Sequence, residues 1–325
     1  MFEASRLLQR CLLAGLLASA STLAAAAIDV RQLQAACRAD SAPDASLDDV
    51  QVRKNAAAPN DLPFYEARSR ASGNSVRLYY EADLEGAAAS KAACLMGALD
   101  VLAAQLPHLR APVSWSPLVL THSANYIPPV RDGEIRWSSR FASTEWEPAN
   151  LRFLLSVMPH EETHLSQGEG KSRLPRWFGE GHADWAGLYV TAQVNPDMAA
   201  LARSRRSEDA RALGAAHLGA WGGLQVKPEA FERQLSAADR ARRAKDPDFV
   251  PAGPFSFGPG DFAADMDNEA GRYGVALALF DGLEQRHGRP AVMAWVRAVI
   301  DGKDGKQVVP LARSMLGEDL EPLLR

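Results

Sequence analysis

The sequence predicts an α+β protein in which a small mixed α/β part is followed by a mainly helical part. Three strand-like stretches, at 75–82, 113–122 and 133–141, all lie in the first half of the chain. A long Ala-rich stretch at 85–106 lies between the first two and has the length of a helix. From residue 150 onward, nearly every apolar stretch has helical spacing. With 47% hydrophobic and 23% charged residues, the composition is that of a folded globular chain.

Residues 1–27 are typical of a secretory signal peptide. Arg6 and Arg10 give a weakly basic start, an apolar core follows, and the small residues at 24–27 suit cleavage after Ala27. The apolar run is short and diluted by Ser and Thr, which disfavours a transmembrane anchor. The sequence therefore predicts an exported protein, periplasmic or secreted. It predicts no stable membrane insertion after cleavage, and no later segment apolar enough to span a bilayer.

Cys37 and Cys94 are the two cysteines that remain after this cleavage. An even number of cysteines in an oxidising compartment predicts one disulfide between them. Such a bond would tie the N-terminal stretch to the long helix predicted at 85–106. Two buried free thiols are the alternative interpretation.

The chain after the signal segment divides into three parts by composition and periodicity. Residues 28–72 begin with helical spacing at 28–40 and continue as an irregular segment, either a removable pro-segment or an integral cap. Residues 73–192 hold the strand-like stretches and the first long helices, and residues 193–325 form a helical C-terminal part. A Pro/Gly-rich loop at 245–262 is long enough to be a lid, a substrate wall or a linker.

The stretch MPHEETHLSQG at 158–168 places His160 and His164 four residues apart. On a helix these residues lie on one face, so both rings can direct a nitrogen at one zinc ion. Glu161 lies about 100° around the helix from His160, where it can reach a water on the metal rather than the metal itself. Because a chain of 325 residues can fold without a metal, such a site would be functional rather than structural. The alternative is a pair of ordinary core or surface histidines.

A second block, WFGEGHADW at 177–185, offers the third protein ligand that a catalytic zinc requires. Glu180 opens a new helical stretch, and its carboxylate can return to the histidine pair. Asp184 lies four residues later, on the same helix face. It can accept the other ring N–H of a zinc-binding histidine and so orient that ring.

The pattern H-E-x-x-H followed by W-x-x-E-G-x-A-x-aromatic resembles the gluzincin zinc metallopeptidases of the peptidase MA-like clan, broadly thermolysin-like and aminopeptidase-like. In the second block the resemblance is carried by Trp177, Glu180, Gly181, Ala183 and Trp185. It is specific over 158–185 and weaker over 75–325, and 28–72 carry no part of it. It implies a zincin-like catalytic core over 73–192, with an active-site cleft between that core and the helical C-terminal part.

The resemblance also implies roles for individual residues. One zinc ion per chain would bind His160, His164 and Glu180. Glu161 would be the general base in the hydrolysis of a peptide bond in a peptide or protein substrate. The segment RYGVALALF is similar to the Y-G-x-A helix of compact bacterial relatives, which makes Tyr273 the candidate donor to the oxyanion. A core tyrosine on an apolar helix is the alternative interpretation of Tyr273.

Two positions depart from the pattern. Pro159 directly precedes His160, and a proline inside a helix removes one hydrogen bond and kinks the helix. Either 151–158 is a separate helix, or the helix that carries the motif bends at this point. His182 occupies the variable position of E-G-x-A, two residues after Glu180, and is interpreted as a histidine of the substrate side or of the packing.

Other function classes fit the sequence less well. A non-catalytic binding or scaffold relative would be marked by loss of the general base or of a ligand, and none is lost. A di-iron carboxylate bundle uses paired E-x-x-H motifs. The chain has two, Glu161–His164 and Glu284–His287, but the second lies at the end of a predicted helix. Nucleic-acid binding is disfavoured because the isoelectric point is near 6.0 and the Arg-rich clusters within 202–243 are interspersed with acidic residues.

Overall fold

The computed structural model describes residues 29–38, 47–57, 61–106, 112–122, 136–140, 151–168, 174–213, 217–246 and 249–325. The predicted signal peptide, residues 1–27, lies outside the described residues. Within them the protein is α+β, as the sequence predicts. A five-stranded mixed sheet belongs to the first half of the chain, and the second half is mostly helical.

Five strands form the main sheet, in the same order in space as along the chain. They are β1 (Val50–Asn55), β2 (Phe64–Ser69), β3 (Ser75–Tyr80), β4 (Leu118–Thr121) and β5 (Trp137–Arg140). Strands β1, β2 and β3 pair antiparallel, whereas β3, β4 and β5 pair parallel. The three strand-like stretches of the sequence correspond to β3, β4 and β5, and each strand is shorter than the stretch that predicted it.

Strands β1 and β2 correct the prediction of an irregular segment within 28–72. Strand β1 lies at the edge of the sheet, and its sequence VQVRKN contributes one buried residue, Val50. Strand β2 reads FYEARS, in which Glu66 and Arg68 alternate with more apolar neighbours. Glu and Lys are depleted in strands, so the charged residues of both stretches weaken the strand signal of their Val, Phe and Tyr residues. The order comes from the pairing of β2 with β3 and of β1 with β2, which a local pattern does not reveal.

Two helices pack beside the sheet in the first half of the chain. Helix α1 (Val30–Arg38) packs on α2 (Glu85–Gln105), which packs on β1, β2 and β3 and forms the crossover between the parallel β3 and β4. The Sγ atoms of Cys37 and Cys94 lie 2.08 Å apart, which is the disulfide pairing that the sequence predicts. The buried Lys91 donates a hydrogen bond to the carbonyl of Cys37 at 3.0 Å. A covalent bond and a polar contact therefore join α1 to α2 at the same place.

One helix in the described part of the chain, α2 with its leading turn (Ala82–Gln105), is long and apolar enough to cross a membrane. This corrects the expectation that no segment after the signal peptide is that hydrophobic. The apolar window of this helix is 72% buried inside the protein, where it contacts α1 and the sheet. A helix that is apolar on all sides is expected in a protein core as well as in a bilayer, so this composition is weak evidence for a membrane span.

Helices make up most of the second half. They are α3 (Met158–Gln167), α4 (Arg176–Val194), α5 (Pro196–Leu213), α6 (Pro228–Gln234), α7 (Ala237–Arg243), α8 (Glu269–His287), α9 (Arg289–Gly302), α10 (Val308–Leu316) and α11 (Glu321–Leu324). A short ribbon of two antiparallel strands, β6 (Leu224–Val226) and β7 (Phe262–Ala264), interrupts them. Strand β7 begins at the last residue of the Pro/Gly-rich loop predicted at 245–262, so this loop leads into the ribbon.

Two hydrophobic cores form, and α4 contributes to both. The first core lies among the sheet, α1, α2 and α4, and includes Ala186 and Val190. The second core lies between α4 and the C-terminal helices, and includes Trp177 and Trp185. The sequence analysis places the boundary between its core part and its helical C-terminal part after residue 192. In the structure this position lies inside α4, two residues before the end of the helix.

The helix that carries His160 contains a wide π-helical turn, Phe153–Val157, which follows the helical residues 151–152 and runs into α3 without a break. In a regular α-helix the carbonyl of Leu155 would accept the N–H of residue 159, but Pro159 has none and its ring would clash with that carbonyl. The hydroxyl of Thr191 on α4 donates to the Leu155 carbonyl instead, at 2.6 Å. One widened helix, rather than two separate helices, therefore accommodates the proline.

The Thr191→Val variant is expected to lower the free energy of unfolding by about 1–3 kcal/mol, because it removes a buried hydrogen-bond donor at nearly unchanged volume. Thr191 is fully buried, so water does not readily replace the hydroxyl. Thr191→Ser keeps the hydroxyl and serves as the control. Urea denaturation of both variants measures the effect, and equal losses for valine and serine would contradict this role of the hydroxyl.

Candidate metal centre

The side chains of His160, His164 and Glu180 come together where α3 and α4 pack. Nε2 of His160 lies 3.3 Å from Nε2 of His164 and 3.3 Å from Oε2 of Glu180. Nε2 of His164 lies 3.6 Å from the same carboxylate oxygen. The three residues that the sequence suggests as ligands therefore form one triangle of donor atoms, which we call the donor triangle.

The donor triangle has the size that a tetrahedral zinc site requires. Zinc binds nitrogen and oxygen ligands at about 2.0–2.2 Å, so neighbouring ligand atoms of a tetrahedron lie roughly 3.3–3.6 Å apart. The observed separations of 3.3, 3.3 and 3.6 Å lie in this range. Two imidazole nitrogens and one carboxylate oxygen are also a donor set of catalytic zinc sites, in which water takes the fourth position. The residues present thus fit a zinc ion.

A second group with metal-ligand spacing, Glu81, Asp83 and His122, lies at the ends of β3 and β4. Its atoms already bond to one another and to their neighbours. The carboxylate of Glu81 accepts hydrogen bonds from the hydroxyl of Thr121 at 2.8 Å and from the backbone N–H of His122 at 2.9 Å. Nε2 of His122 lies 2.7 Å from Asp83. Asp83 and His122 are exposed, so this group is a solvated polar cluster and the donor triangle is the stronger metal site.

Asp184 orients the ring of His160. Its Oδ1 lies 2.8 Å from Nδ1 of His160, which is the contact that the four-residue spacing from Glu180 predicts. Its other oxygen forms an ion pair with Arg206 of α5 at 2.9 Å. A carboxylate that accepts the Nδ1 proton leaves Nε2 available to a metal. Arg206, which belongs to neither sequence motif, holds this carboxylate in place.

Gln167 orients the ring of His164 in the same way, although it belongs to neither sequence motif. Its Oε1 lies 2.9 Å from Nδ1 of His164, and its Nε2 donates to the carbonyl of Gly179 at 2.9 Å. The amide therefore connects the last turn of α3 to the first turn of α4. The signal available in the sequence was its position, three residues after His164 on the same helix face.

The ring of His182 packs inside the protein rather than facing solvent. The residue is 1% exposed, and its Nδ1 lies 3.1 Å from Nε2 of Gln167. Its ring lies beside those of Phe178, Trp185 and Phe280. Of the two interpretations that the sequence left open for His182, the structure supports packing.

Tyr273 of α8 lies against the donor triangle. Its hydroxyl donates to Oε2 of Glu180 at 2.9 Å, and its ring lies between the indole of Trp221 at 4.9 Å and the guanidinium of Arg206 at 4.7 Å. Burial, and after it the negative charge of Glu180, raise the pKa of the Tyr273 hydroxyl well above its usual range. The hydroxyl therefore stays protonated and remains a hydrogen-bond donor next to the triangle.

Charged side chains of both signs surround the donor triangle. Arg176, one turn before Glu180 on α4, lies 3.6 Å from Oε1 of Glu180 and 2.6 Å from Oε1 of Glu269. Glu161 is partly buried and is not among the three donor residues. Its negative charge helps to raise the pKa of His160. The Glu161 carboxylate is therefore within electrostatic reach of the triangle, as a base acting beside a metal would have to be.

The two nearest carboxylates control the protonation of the metal-free site. Burial disfavours a charged imidazole, but the hydrogen bonds of Asp184 and Glu180 outweigh it and raise the pKa of His160 to about 9. Burial also acts to raise the pKa of the Glu180 carboxyl, but hydrogen bonds from His160 and His164 outweigh it and hold this pKa well below its usual range. At neutral pH, in the metal-free site, both ring nitrogens of His160 are therefore protonated and the ring is positively charged. The Glu180 carboxylate is negatively charged.

Zinc binding at neutral pH is expected to release about one proton, because His160 must be neutral to bind the metal. The share of this release that comes from His160 should be lost as the pH rises through about 9, the pKa of His160 in the metal-free protein, since the ring is then already neutral. A proton released by a zinc-bound water, whose pKa would lie at about 7, adds to the number at high pH. Calorimetric titrations with zinc in two buffers of different ionisation enthalpy give the proton number at each pH. A proton number near zero at neutral pH would contradict the raised pKa of His160.

The second E-x-x-H motif does not join the donor triangle. Oε2 of Glu284 accepts the indole N–H of Trp185 at 2.6 Å, and Nε2 of His287 lies 2.7 Å from Glu318. Neither Glu284 nor His287 belongs to a group with metal-ligand spacing among the residues that the structure describes. Glu284 joins α8 to α4, and His287 joins α8 to the segment that follows α10. Both residues are thus engaged in structural contacts, which disfavours the di-iron alternative.

The chain matches no model of a known protein family and no curated protein. The resemblance to the gluzincins therefore rests on the two short motifs.

Proposed function

We propose that this protein is an exported, zinc-dependent metallopeptidase of the gluzincin type. The observation that carries the proposal is the donor triangle of His160, His164 and Glu180, whose dimensions fit tetrahedral zinc. Glu161, next to His160 in the chain, adds the carboxylate that such hydrolysis needs beside the metal. The expected substrate is a peptide or protein.

The residues around the triangle divide the chemistry between them. A zinc ion at this site would lower the pKa of a water toward about 7 and polarise the carbonyl of the scissile bond. Glu161 accepts a proton from the attacking water and later donates it to the leaving amine nitrogen. Asp184 and Gln167 accept the Nδ1 protons of the two histidines, so that both Nε2 atoms stay directed at the metal position.

Tyr273 is the proposed donor to the oxyanion that forms when water adds to the carbonyl. Its hydroxyl already lies 2.9 Å from a ligand oxygen, and its raised pKa keeps the proton in place. We expect Tyr273→Phe to lower kcat by roughly tenfold or more with little change in KM, because the lost interaction exists mainly in the transition state. Tyr189→Phe on α4 is the matched control. Steady-state kinetics decides, and an unchanged kcat would remove Tyr273 from the reaction.

Two features support export. The sequence begins with a stretch typical of a signal peptide. The Cys37–Cys94 disulfide is of a kind that forms and persists in oxidising compartments.

The metal content of the mature protein tests the proposal. We expect elemental analysis of protein purified without chelators to give about one zinc per chain, and the same preparation to cleave a mixed peptide library. Folded protein without zinc would make His160 and His164 an ordinary histidine pair. One zinc per chain with no cleavage of any peptide would support the non-catalytic, binding or scaffold alternative.

A further inference from the structure

Two polar contacts, one helical turn apart, join α4 to α8 beside the metal centre. Arg176 and Glu269 are the first residues of these two helices, and Nη2 of Arg176 lies 2.6 Å from Oε1 of Glu269. One turn later, the hydroxyl of Tyr273 on α8 donates to Oε2 of Glu180 on α4 at 2.9 Å. Residues four apart lie on the same face of a helix. The ion pair and the hydrogen bond are therefore neighbouring contacts of the same two helix faces.

Arg176 occupies a position that the chemistry of a helix end disfavours. The free amides at a helix N-terminus carry partial positive charge, so an acidic residue is favourable there and a basic one is not. Glu269 fits this rule at the start of α8, whereas Arg176 breaks it at the start of α4. A residue that breaks a local rule needs an explanation in its contacts. Those of Arg176 are with Glu269 and, at 3.6 Å, with Oε1 of Glu180.

The surroundings hold this ion pair against the metal centre. The guanidinium of Arg176 lies 5.3 Å from the centre of the buried indole of Trp221, and the ring of Tyr273 lies 4.9 Å from the same indole. Gly181 allows α4 and α8 to approach closely, since a β-carbon there would lie 3.1 Å from Cβ of Ala276. A displacement at the start of α8 would therefore also move Tyr273 relative to α4.

Stability does not explain the ion pair. The side chains of Arg176 and Glu269 are 33% and 38% exposed, and exposed ion pairs contribute little to the free energy of unfolding. A short charge-assisted contact does, however, have a defined geometry. It fixes the separation between the first turns of α4 and α8, and with it the place of the Tyr273 hydroxyl next to Glu180.

We propose that the Arg176–Glu269 ion pair positions the Tyr273 hydroxyl at the metal centre. Both are positioning residues, which act through the tyrosine and not on the substrate. This inference rests on the proposed peptidase function, in which Tyr273 donates to the oxyanion. Loss of the ion pair lets the start of α8 shift, and a displacement of about 1 Å at a reacting group can cost as much as about 100-fold in rate.

Steady-state kinetics of Glu269→Ala is the first test. We expect kcat to fall about fivefold with little change in KM, because the misplaced hydroxyl acts mainly in the transition state. The melting temperature should stay unchanged, since the ion pair is partly exposed. Glu269→Gln keeps an oxygen acceptor for Arg176 and should lower kcat less. An unchanged kcat in Glu269→Ala would overturn the proposal.

Asp281→Asn is the matched control. Asp281 also lies on α8, and it forms an ion pair with Arg203 of α5 at 3.2 Å with a similar exposure. It is not one of the donor residues. Its amide should leave kcat unaltered, and a loss as large as that in Glu269→Ala would show that any ion pair of α8 has this effect, which would overturn the proposal.

A double variant shows whether the ion pair acts through the tyrosine. If it does, Glu269→Ala has nothing left to misplace once the hydroxyl is gone. The kcat of Tyr273→Phe with Glu269→Ala should then equal that of Tyr273→Phe alone. Losses that multiply, to roughly fiftyfold or more, would mean that the two contacts act independently and would overturn the proposal.

Cobalt(II) in place of zinc gives a measurement that does not need catalysis. The Tyr273 hydroxyl contacts an oxygen of a proposed ligand, so Tyr273→Phe should shift the visible absorption band of the cobalt-loaded protein. Glu269→Ala should shift this band in the same direction. An unshifted band in Glu269→Ala would overturn the proposal even if the unaltered protein cleaves peptides. A shifted band, with no cleavage of any peptide by the unaltered protein, would support the positioning and overturn the peptidase.

Discussion

Glu161→Gln is expected to keep the bound zinc and to lower kcat by roughly 10²–10⁴-fold, the contribution typical of a general acid–base residue. The amide keeps the size of the side chain but cannot accept the proton of the attacking water. Because Glu161 is not one of the three donor residues, metal affinity should stay within a few fold. Steady-state hydrolysis of a peptide and elemental analysis of the same preparation measure the two effects.

Glu229→Gln, at an exposed position of α6, makes the same chemical change elsewhere and should leave kcat unaltered. A fully active Glu161→Gln would remove the proposed mechanism. Loss of zinc together with activity would instead show that Glu161 supports metal binding, and its role as base would need separate proof.

Glu180→Gln is expected to weaken zinc binding by more than about 100-fold, because even residues that only orient a ligand are worth about 10–100-fold. The change removes the negative charge of the Glu180 carboxylate, whose Oε2 lies 3.3 Å from Nε2 of His160 and 3.6 Å from Nε2 of His164. The loss of that charge should also bring the pKa of His160 down from its raised value of about 9. Competition with a chromogenic chelator measures the zinc affinity.

Glu269→Gln is the control for Glu180→Gln. Glu269 binds Arg176 at 2.6 Å in the same neighbourhood, but it is not part of the donor triangle, so its amide should keep the zinc. An unchanged zinc affinity in Glu180→Gln would show that the third ligand is another residue.

The fold class and the two residue pairs of the metal centre could be predicted from the sequence because both depend on local spacing. The four-residue spacing of His160 and His164 places two rings on one helix face, and the same spacing links Glu180 to Asp184. These relations hold on any helix, whatever it packs against. That α3 and α4 pack so that the two pairs meet was suggested only by the resemblance to a known family.

The parts that could not be predicted depend on contacts distant in sequence. Arg206 reaches Asp184 from α5, and no spacing rule connects these two positions. Strands β1 and β2 carry charges such as Arg53 and Glu66 and become ordered by pairing in the sheet.

Helix α4 makes the chain indivisible. None of its residues is exposed, because Ala186 and Val190 face one core while Trp177 and Trp185 face the other. A fragment that ends before α4 would lose one wall of its interior, and a fragment that starts with α4 would present that wall to water. We therefore expect neither half to fold as an independent module when it is separated from the other.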